Sequence, residues 1–147
     1  MAAVNAVDIL IVEDNAYDAE LMVRALTQRG LANQFHIVED GEAALDFLLG
    51  RGQYRARQNA TTPRVIFLDL KLPKLNGLEV LQAIRATEQL RMLPVVIVTS
   101  SAEDPDIQAA YALGANSYVV KPVGFDEFLK VTADLGFYWL LVNRLPQ

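Results

Sequence analysis

Five short apolar runs alternate with longer stretches of helical periodicity, and this alternation restricts the possible folds more than any other feature of the sequence. It is typical of an α/β protein in which helices connect the strands of a parallel sheet. Strands covered by helices on both faces are apolar along most of their length, as these runs are. We therefore predict a doubly wound (βα)5 fold with strands at residues 7–12, 34–38, 65–68, 95–98 and 117–120.

Helices are predicted in the intervals between these strands. Asn15 can cap a first helix that runs to about residue 29, where Gly30 can adopt the positive φ that ends many helices. The others are predicted at residues 42–49, 78–87, 105–113 and 125–142. The polar segment 50–63 has no clear periodicity and is longer than most connections, so we interpret it as an exposed loop. It serves either as a partner contact or as a plain surface insertion.

The last predicted helix carries more apolar surface than one packed face can bury. Its end includes Phe137, Tyr138, Trp139 and Leu140. Such a surface either packs back onto the domain or forms an interface with a partner or a second copy. We favour the interface and take these four residues as its candidates, within an extended C-terminal helix and tail at residues 135–147.

The length of 147 residues fits one domain, residues 1–147, with residues 1–6 as a flexible N-terminus. A net charge of -5 offers no basic surface for nucleic acid. No apolar run approaches the roughly 20 residues that span a bilayer, and the N-terminus does not resemble a signal peptide. Because the chain also has no cysteine, we expect a cytoplasmic protein that binds neither membranes nor nucleic acid directly.

Acidic residues directly follow the first and the third predicted strands. Glu13 and Asp14 come after residues 7–12, and Asp69 comes after residues 65–68. If the strands take the flavodoxin-like order 2-1-3-4-5, the first and third strands are neighbours and these carboxylates converge at the carboxyl edge of the sheet. Carboxylates in such proximity repel each other, and the usual remedy is a cation. Taken alone, Glu13 and Asp14 could instead be a loop start and a helix-capping pair.

The converging oxygens are hard ligands that suit Mg²⁺ better than zinc. In that site Asp69 would be a nucleophile, Asp14 would hold Mg²⁺ directly, and Glu13 would act through a water molecule. The backbone carbonyl of Lys71 could supply a further ligand. The lone histidine, His36, lies in the second predicted strand away from this edge, and we interpret it as structural.

Two more strand ends deliver polar side chains to the same edge. Thr99 follows residues 95–98, and Lys121 follows residues 117–120. Lys121 would pair with a phosphate oxygen, and the hydroxyl of Thr99 would donate to another. The whole set fits phosphoryl transfer, where catalysis consists mostly of positioning and charge stabilisation.

Four segments carry these residues among characteristic neighbours: residues 11–15 (IVEDN), 68–77 (LDLKLPKLNG), 98–100 (VTS) and 114–122 (GANSYVVKP). In order and spacing they resemble the receiver domains of bacterial two-component response regulators, over nearly the whole chain. The resemblance implies that Asp69 accepts a phosphoryl group from a phosphohistidine on a partner histidine kinase and that Mg²⁺ is required. It implies a signalling protein that assists its own phosphorylation and dephosphorylation rather than an enzyme acting on external substrates.

The same resemblance implies a conformational switch. In the family the residue at the Thr99 position moves toward the phosphoryl group, and the residue at the Tyr118 position changes rotamer. Tyr118 as an ordinary core aromatic residue is the alternative. The resemblance further suggests a cis bond between Lys121 and Pro122, and it marks Lys71 and Ser101 as variable positions that influence the lifetime of the phosphoryl group.

The long segment before the third strand and the aromatic ending look like those of stand-alone regulators paired with bacterial phytochrome kinases. This finer resemblance suggests a light-sensing kinase as partner and a homodimer built from helix five and the C-terminal tail. No output domain follows in the sequence, so we expect a regulator that acts through an unknown downstream protein.

Three rival classes share parts of this pattern. A Mg²⁺-dependent phosphohydrolase would need a second acid two residues after the nucleophile, where this chain has Lys71. A flavin-binding protein would need a phosphate-cradling loop where Glu13 and Asp14 would repel the ligand. A pseudo-receiver, which has the fold but acts as a constitutive interaction module without phosphorylation, remains the main alternative.

Overall fold

The computed structural model describes residues 7–31 and 34–146, so the predicted flexible segment 1–6 lies outside the described residues. Its strands are β1 Ile9–Val12, β2 Phe35–Val38, β3 Val65–Leu68, β4 Val95–Thr99 and β5 Ser117–Val120. All neighbouring strands are parallel, and they form one sheet in the order β2-β1-β3-β4-β5. The predicted flavodoxin-like fold is therefore confirmed.

The register of the sheet brings the strand ends level at one edge. Val12 of β1 pairs with Leu68 of β3, which in turn pairs with Ile97 of β4. Thr99 at the end of β4 pairs with Val120 at the end of β5. Residues that follow these strands therefore meet at the carboxyl edge.

Five α-helices connect and follow the strands: α1 Ala16–Gln28, α2 Gly41–Leu49, α3 Gly77–Ala86, α4 Asp104–Ala112 and α5 Phe125–Phe137. Asn15 caps α1 as predicted, because its side-chain oxygen accepts the backbone N–H of Asp18 at 3.1 Å. Gly30 follows α1 with a φ of 63°. Within the described ranges 7–31 and 34–146, no helix combines the length and the apolar character that a membrane span requires.

The core has two layers, one on each face of the sheet. Leu10 and Val12 of β1 join the layer formed with α2 and α3, while Ile9 and Ile11 join the layer formed with α1 and α5. The helices α1 and α5 approach closely at Gly136, where an added Cβ would lie 2.4 Å from Cδ2 of Leu26. Helices on both faces explain why the central strands are apolar throughout.

The segment 50–63 is more ordered than the predicted irregular loop, because Gly52–Arg57 forms a 3₁₀ helix. Tyr54 packs edge-on against His36 and Phe47, and its hydroxyl lies 3.0 Å from Nε2 of His36. The guanidinium of Arg57 lies 3.7 Å from the centroid of the Phe47 ring. These ring contacts anchor the segment beside the edge strand β2 and give His36 a structural role.

The C-terminal region departs from the predicted single helix. After Phe137 the chain forms a π-helical turn at Tyr138–Val142. Trp139 and Leu140 are buried with 9% and 4% exposure and pack into the layer of α1 and α5. These two interface candidates therefore pack back onto the domain, which is the alternative considered above, and their part in an interface stays a prediction. Phe137 and Tyr138 remain exposed at 45% and 46%.

Candidate functional site

Side chains from four strands meet at the carboxyl edge of the sheet. Glu13 follows β1, Asp69 follows β3, Thr99 ends β4 and Lys121 follows β5. The backbone N–H of Asp69 donates to the carbonyl of Val12 at 3.1 Å, and that of Lys121 donates to the carbonyl of Thr99 at 2.7 Å. The ladder of the sheet therefore extends by one residue and sets the positions of both side chains.

Three carboxylates at this edge lie close enough to share one cation. Glu13, Asp14 and Asp69 each offer an oxygen, and these oxygens lie within 4.8 Å of one another. Glu13 and Asp69 are buried at 2% and 8% exposure, while Asp14 is exposed to solvent. The donors are all hard oxygens, which suit Mg²⁺ or Mn²⁺. In the part of the chain that the structure describes, this is the one cluster with such a geometry.

The ammonium group of Lys121 lies among three carboxylates. Its Nζ is 2.7 Å from Oε1 of Glu13, 3.0 Å from Oδ2 of Asp69 and 3.0 Å from Oδ2 of Asp18. Asp18, which lies in the first turn of α1, is a site residue that no sequence motif predicted. An acid at that place is also favoured by the helix dipole, so its type and position do not distinguish a site residue from a helix-stabilising one.

Burial and charge shift the proton affinities of this cluster. Burial, helped by the negative charge of Asp69, raises the pKa of Glu13 to about 7 against the opposing hydrogen bond from Lys121. Burial alone would lower the pKa of Lys121, but its hydrogen bond to Glu13 and the charge of Asp69 raise it above the ordinary value. The single positive charge of Lys121 does not balance the carboxylates around it, and the remaining negative charge favours uptake of a proton or a cation.

The loop after β3 is held tightly against Asp69. The backbone N–H of Lys71 points to Oδ1 of Asp69 at 3.4 Å. At Gly77, which begins α3, an added Cβ would lie 2.2 Å from the carbonyl oxygen of Asp69. Asn76 and Glu79 cap the start of α3 reciprocally. This packing positions the backbone beside the acids, and the carbonyl of Lys71 as a metal ligand stays a prediction.

Thr99 is connected to the surface helix α4 through Ser101. Thr99 is fully buried, and its Oγ1 accepts the backbone N–H of Ser101 at 3.4 Å. The hydroxyl of Tyr118 donates to the carbonyl of Ser101 at 2.9 Å, and the hydroxyl of Ser101 donates to Asp106 at 2.5 Å. Asp106 lies in the first turn of α4, so a continuous path of hydrogen bonds joins the site to that helix.

The predicted cis bond between Lys121 and Pro122 is wrong, because the structure has no cis peptide bond within residues 7–31 and 34–146. The trans form is favoured at X-Pro bonds by about 0.5–1 kcal/mol. In this trans conformation Lys121 still reaches all three carboxylates, so its ion pairs suffice to hold the ammonium group in the site.

Comparison with known proteins gives a family for this arrangement. Residues 9–133 match the response regulator receiver domain family. The probable methanogenesis regulatory protein FilR2 of Methanothrix harundinacea is 42% identical over 139 residues, which cover 94% of this chain and 86% of FilR2. Response regulator Rcp1 of Synechocystis sp. is 36% identical over 138 residues, which cover 94% of this chain and 92% of Rcp1.

Solved structures of response regulators share this fold over nearly the whole chain. The Mn²⁺-bound form of Rcp1 has a TM-score of 0.86 at 35% identity, covering 95% of this chain and 98% of Rcp1. The phosphorylated cyanobacterial phytochrome response regulator RcpA has a TM-score of 0.88 at 33% identity, and the match covers 97% of this chain and 99% of RcpA. The bacteriophytochrome response regulator RtBRR is 50% identical with a TM-score of 0.75, and the match covers 96% of this chain and 84% of RtBRR.

Proposed function

The chain belongs to the response regulator receiver domain family, and from this premise we propose that Asp69 accepts a phosphoryl group from a histidine kinase in a Mg²⁺-dependent reaction. The observation that carries the proposal is the position of the Asp69 carboxylate. One of its oxygens lies within 4.8 Å of an oxygen of each of two further acids, and its Oδ2 is 3.0 Å from the ammonium of Lys121. RcpA, a structural neighbour, is phosphorylated in its crystal structure.

The residues at the carboxyl edge fit a divalent cation. Asp14 and Asp69 would hold Mg²⁺ directly, Glu13 would bind it through water, and the carbonyl of Lys71 would complete the protein ligands. Support comes from the oxygen-only donor set, from the excess of negative charge and from the Mn²⁺ in the structure of Rcp1. When bound, the ion neutralises charge between the acids and an incoming phosphoryl group.

In the transfer step an Oδ atom of Asp69 attacks the phosphorus of a phosphohistidine. The O–P bond forms while the N–P bond of the donor breaks, and the imidazole leaves with the electron pair and takes up a proton. Lys121 exchanges its bond to Oδ2 of Asp69 for a phosphoryl oxygen, while its bonds to Glu13 and Asp18 keep it in place. Thr99 donates its hydroxyl to a second phosphoryl oxygen.

The proposed switch follows the hydrogen bonds around Ser101. When Thr99 turns toward the phosphoryl group, its Oγ1 leaves the N–H of Ser101, whose carbonyl holds Tyr118 and whose hydroxyl holds Asp106. The surface formed by α4 and β5 then changes with the state of Asp69. In this proposal Tyr118 is a switch residue rather than an ordinary core residue.

A phytochrome-type histidine kinase is the proposed donor. Support comes from the likeness to Rcp1, RcpA and RtBRR over more than nine-tenths of this chain. A histidine kinase transfers phosphoryl groups inside the cell, so we place the protein in the cytoplasm. The chain is also similar to FilR2, a probable methanogenesis regulatory protein, so the proposal names no downstream protein.

A homodimer through α5 and the π-helical turn forms the second part of the proposal. Phe137, Tyr138, Leu141 and Val142 are 45%, 46%, 63% and 49% exposed, which leaves an apolar surface on the outside of this region. Burial of this surface against a second copy would remove it from water. Trp139 and Leu140 would support the interface from beneath, since both are buried within the protomer.

The phosphorylation proposal is tested by intact-mass analysis after incubation with acetyl phosphate and Mg²⁺. Wild type should gain one phosphoryl group, the gain should vanish with a chelator, and Asp69→Asn should gain none. Asp134→Asn, which changes an exposed acid on α5, is the matched control and should label like wild type. A wild type that gains nothing would contradict the proposal and favour the constitutive interaction module.

The dimer proposal is tested by sedimentation of Phe137→Gln and Leu141→Gln beside Tyr111→Gln. Tyr111 on α4 is 50% exposed and lies outside the proposed interface, so its substitution should leave the mass unchanged. The two interface substitutions should shift the protein toward the monomer. A wild type that sediments as a monomer at high concentration would rule the dimer out.

A further inference from the structure

A cleft of about 360 Å³ lies at the amino edge of the sheet, on the opposite side of the molecule from Asp69. Its walls come from the end of α3, the entries to β4 and β5, and the C-terminal tail. The polar lining residues are Arg85, Arg91, Asn116, Asn143 and Arg144, and apolar lining comes from Met92, Trp139 and Leu145. The volume lies within the range of about 300–1,000 Å³ that is typical of small-molecule sites.

The lining gathers positive charge without any acid. Three arginines face this space in a chain whose net charge is -5. Arg85 gives its N–H groups to neutral oxygens only, those of Gly114, Arg91, Leu93 and Asn116. Its hydrogen bonds are satisfied but its charge is not neutralised, and burial lowers its pKa.

The other two guanidinium groups are available to a ligand. Arg91 and Arg144 are exposed, and neither forms an ion pair with any residue in the described ranges 7–31 and 34–146. Oδ1 of Asn116 accepts the backbone N–H of Val95 at 2.7 Å and Nη2 of Arg85 at 2.9 Å. The side-chain NH₂ group of Asn116 therefore remains available as a donor.

We propose that this cleft binds a small anion that carries two phosphate groups, such as a diphosphate. Guanidinium groups pair with phosphate oxygens through two parallel N–H donors, and the two exposed arginines supply one such group for each phosphate. The fixed charge of Arg85 adds attraction without competing for the same donors. The carboxyl edge repels the same ligand in the absence of a divalent cation, so the two ends of the molecule differ in the sign of the ion that they attract.

Trp139 makes occupancy of the cleft measurable. It is the only tryptophan of the chain and it lines the cleft. Titration of the wild-type protein with pyrophosphate, in a chelator that keeps divalent cations from the carboxyl edge, should change its tryptophan fluorescence in a saturable way. Calorimetry under the same conditions should give one site per chain.

The arginines are tested with the double variant Arg91→Gln and Arg144→Gln. Removal of two guanidinium groups should weaken pyrophosphate binding by at least about tenfold. Arg55→Gln is the matched control, because Arg55 is also exposed but lies in the 3₁₀ helix beside β2. It should bind like wild type. An unchanged affinity in the double variant, or no saturable signal from wild type at millimolar pyrophosphate, would overturn the proposal.

Discussion

The two edges of the sheet each hold one largely enclosed cation, and they differ in what surrounds it. At the carboxyl edge Lys121 contacts three carboxylates within 3.0 Å. At the amino edge Arg85 contacts three backbone carbonyls and one amide oxygen. The charge balance of a carboxylate cluster around one cation changes when a phosphoryl group or a metal arrives, whereas hydrogen bonds from a cation to neutral oxygens can stay in place when an anion approaches. We infer that the contacts of Lys121 serve the proposed chemistry, whereas the hydrogen bonds of Arg85 serve stability and leave its charge un-neutralised beside the cleft.

We first expect that loss of Lys121 lowers the rate of phosphoryl uptake far more than it lowers the free energy of unfolding. Lys121→Met should slow phosphoryl uptake from acetyl phosphate by about 10²–10³-fold, the usual cost of losing one donor to a developing charge. With Mg²⁺ present to offset the carboxylates, its urea unfolding should stay close to that of wild type. Lys130→Met removes an exposed lysine of α5 and should label at the normal rate. Normal labelling of Lys121→Met would remove Lys121 from the proposed mechanism.

Loss of Arg85 should instead reduce stability and leave phosphoryl uptake unchanged. Arg85→Met leaves the carbonyls of Leu93 and Gly114 without their donors, which should cost about 3 kcal/mol in the free energy of unfolding. Urea denaturation measures this change, with Arg55→Met as the exposed control. The rate of phosphoryl uptake by the folded variant should not change. A stability loss below about 1 kcal/mol would show that these hydrogen bonds contribute little beyond solvation.

Mg²⁺ should stabilise the native protein by binding at the carboxyl edge and not at the amino edge. At one hundred times its dissociation constant, a ligand of the native state adds about 2.7 kcal/mol to the free energy of unfolding. Asp14→Asn should lose most of this increase, and Arg85→Met should keep it. Asp104→Asn, in the first turn of α4, serves as the control for loss of an exposed acid. Thermal unfolding with and without Mg²⁺ measures the effect, and an equal increase in Asp14→Asn would place the metal elsewhere.

The smallest predicted effect concerns a polar group that lies in the core rather than at the site. The hydroxyl of Thr132 on α5 is buried and, among the residues that the structure describes, has no hydrogen-bond partner. Thr132→Val should therefore raise the free energy of unfolding by about 1 kcal/mol. Thr87→Val is the contrasting variant, because Thr87 donates to the carbonyl of Ala83 at 2.7 Å and its loss should destabilise. A destabilised Thr132→Val would show that its hydroxyl has a partner, such as a water molecule.

The sequence predicted the sheet and most of the carboxyl edge because both depend on simple periodicity. Residues 65–68 and 117–120 form strands with the predicted bounds, and parallel strands must bring Asp69 and Glu13 to one edge. The first strand begins at Ile9 rather than at residue 7. An apolar run alone does not show where the ladder of hydrogen bonds begins.

The features that the sequence did not predict depend on contacts between distant segments. Asp18 joins the site through Lys121, which lies 103 positions later in the chain. The 3₁₀ helix after α2 has no periodicity of its own and depends on packing of Tyr54 against His36 and Phe47. In the sequence Trp139 continues the apolar periodicity of α5, but in the structure it lies in a π-helical turn and is buried. Local propensity contains no information about such contacts.

Chemical reduction can locate the phosphoryl group itself and so tests the assignment of Asp69 as the acceptor. The protein is labelled with acetyl phosphate and Mg²⁺, reduced with borohydride, which converts an aspartyl phosphate to homoserine, digested and sequenced by tandem mass spectrometry. We predict homoserine at Asp69 alone, with none at Asp14 or Asp18, no 2-amino-5-hydroxypentanoic acid at Glu13, and neither product in a sample labelled in a chelator. Conversion at another acid of the cluster, or labelling that does not depend on Mg²⁺, would contradict the proposed site.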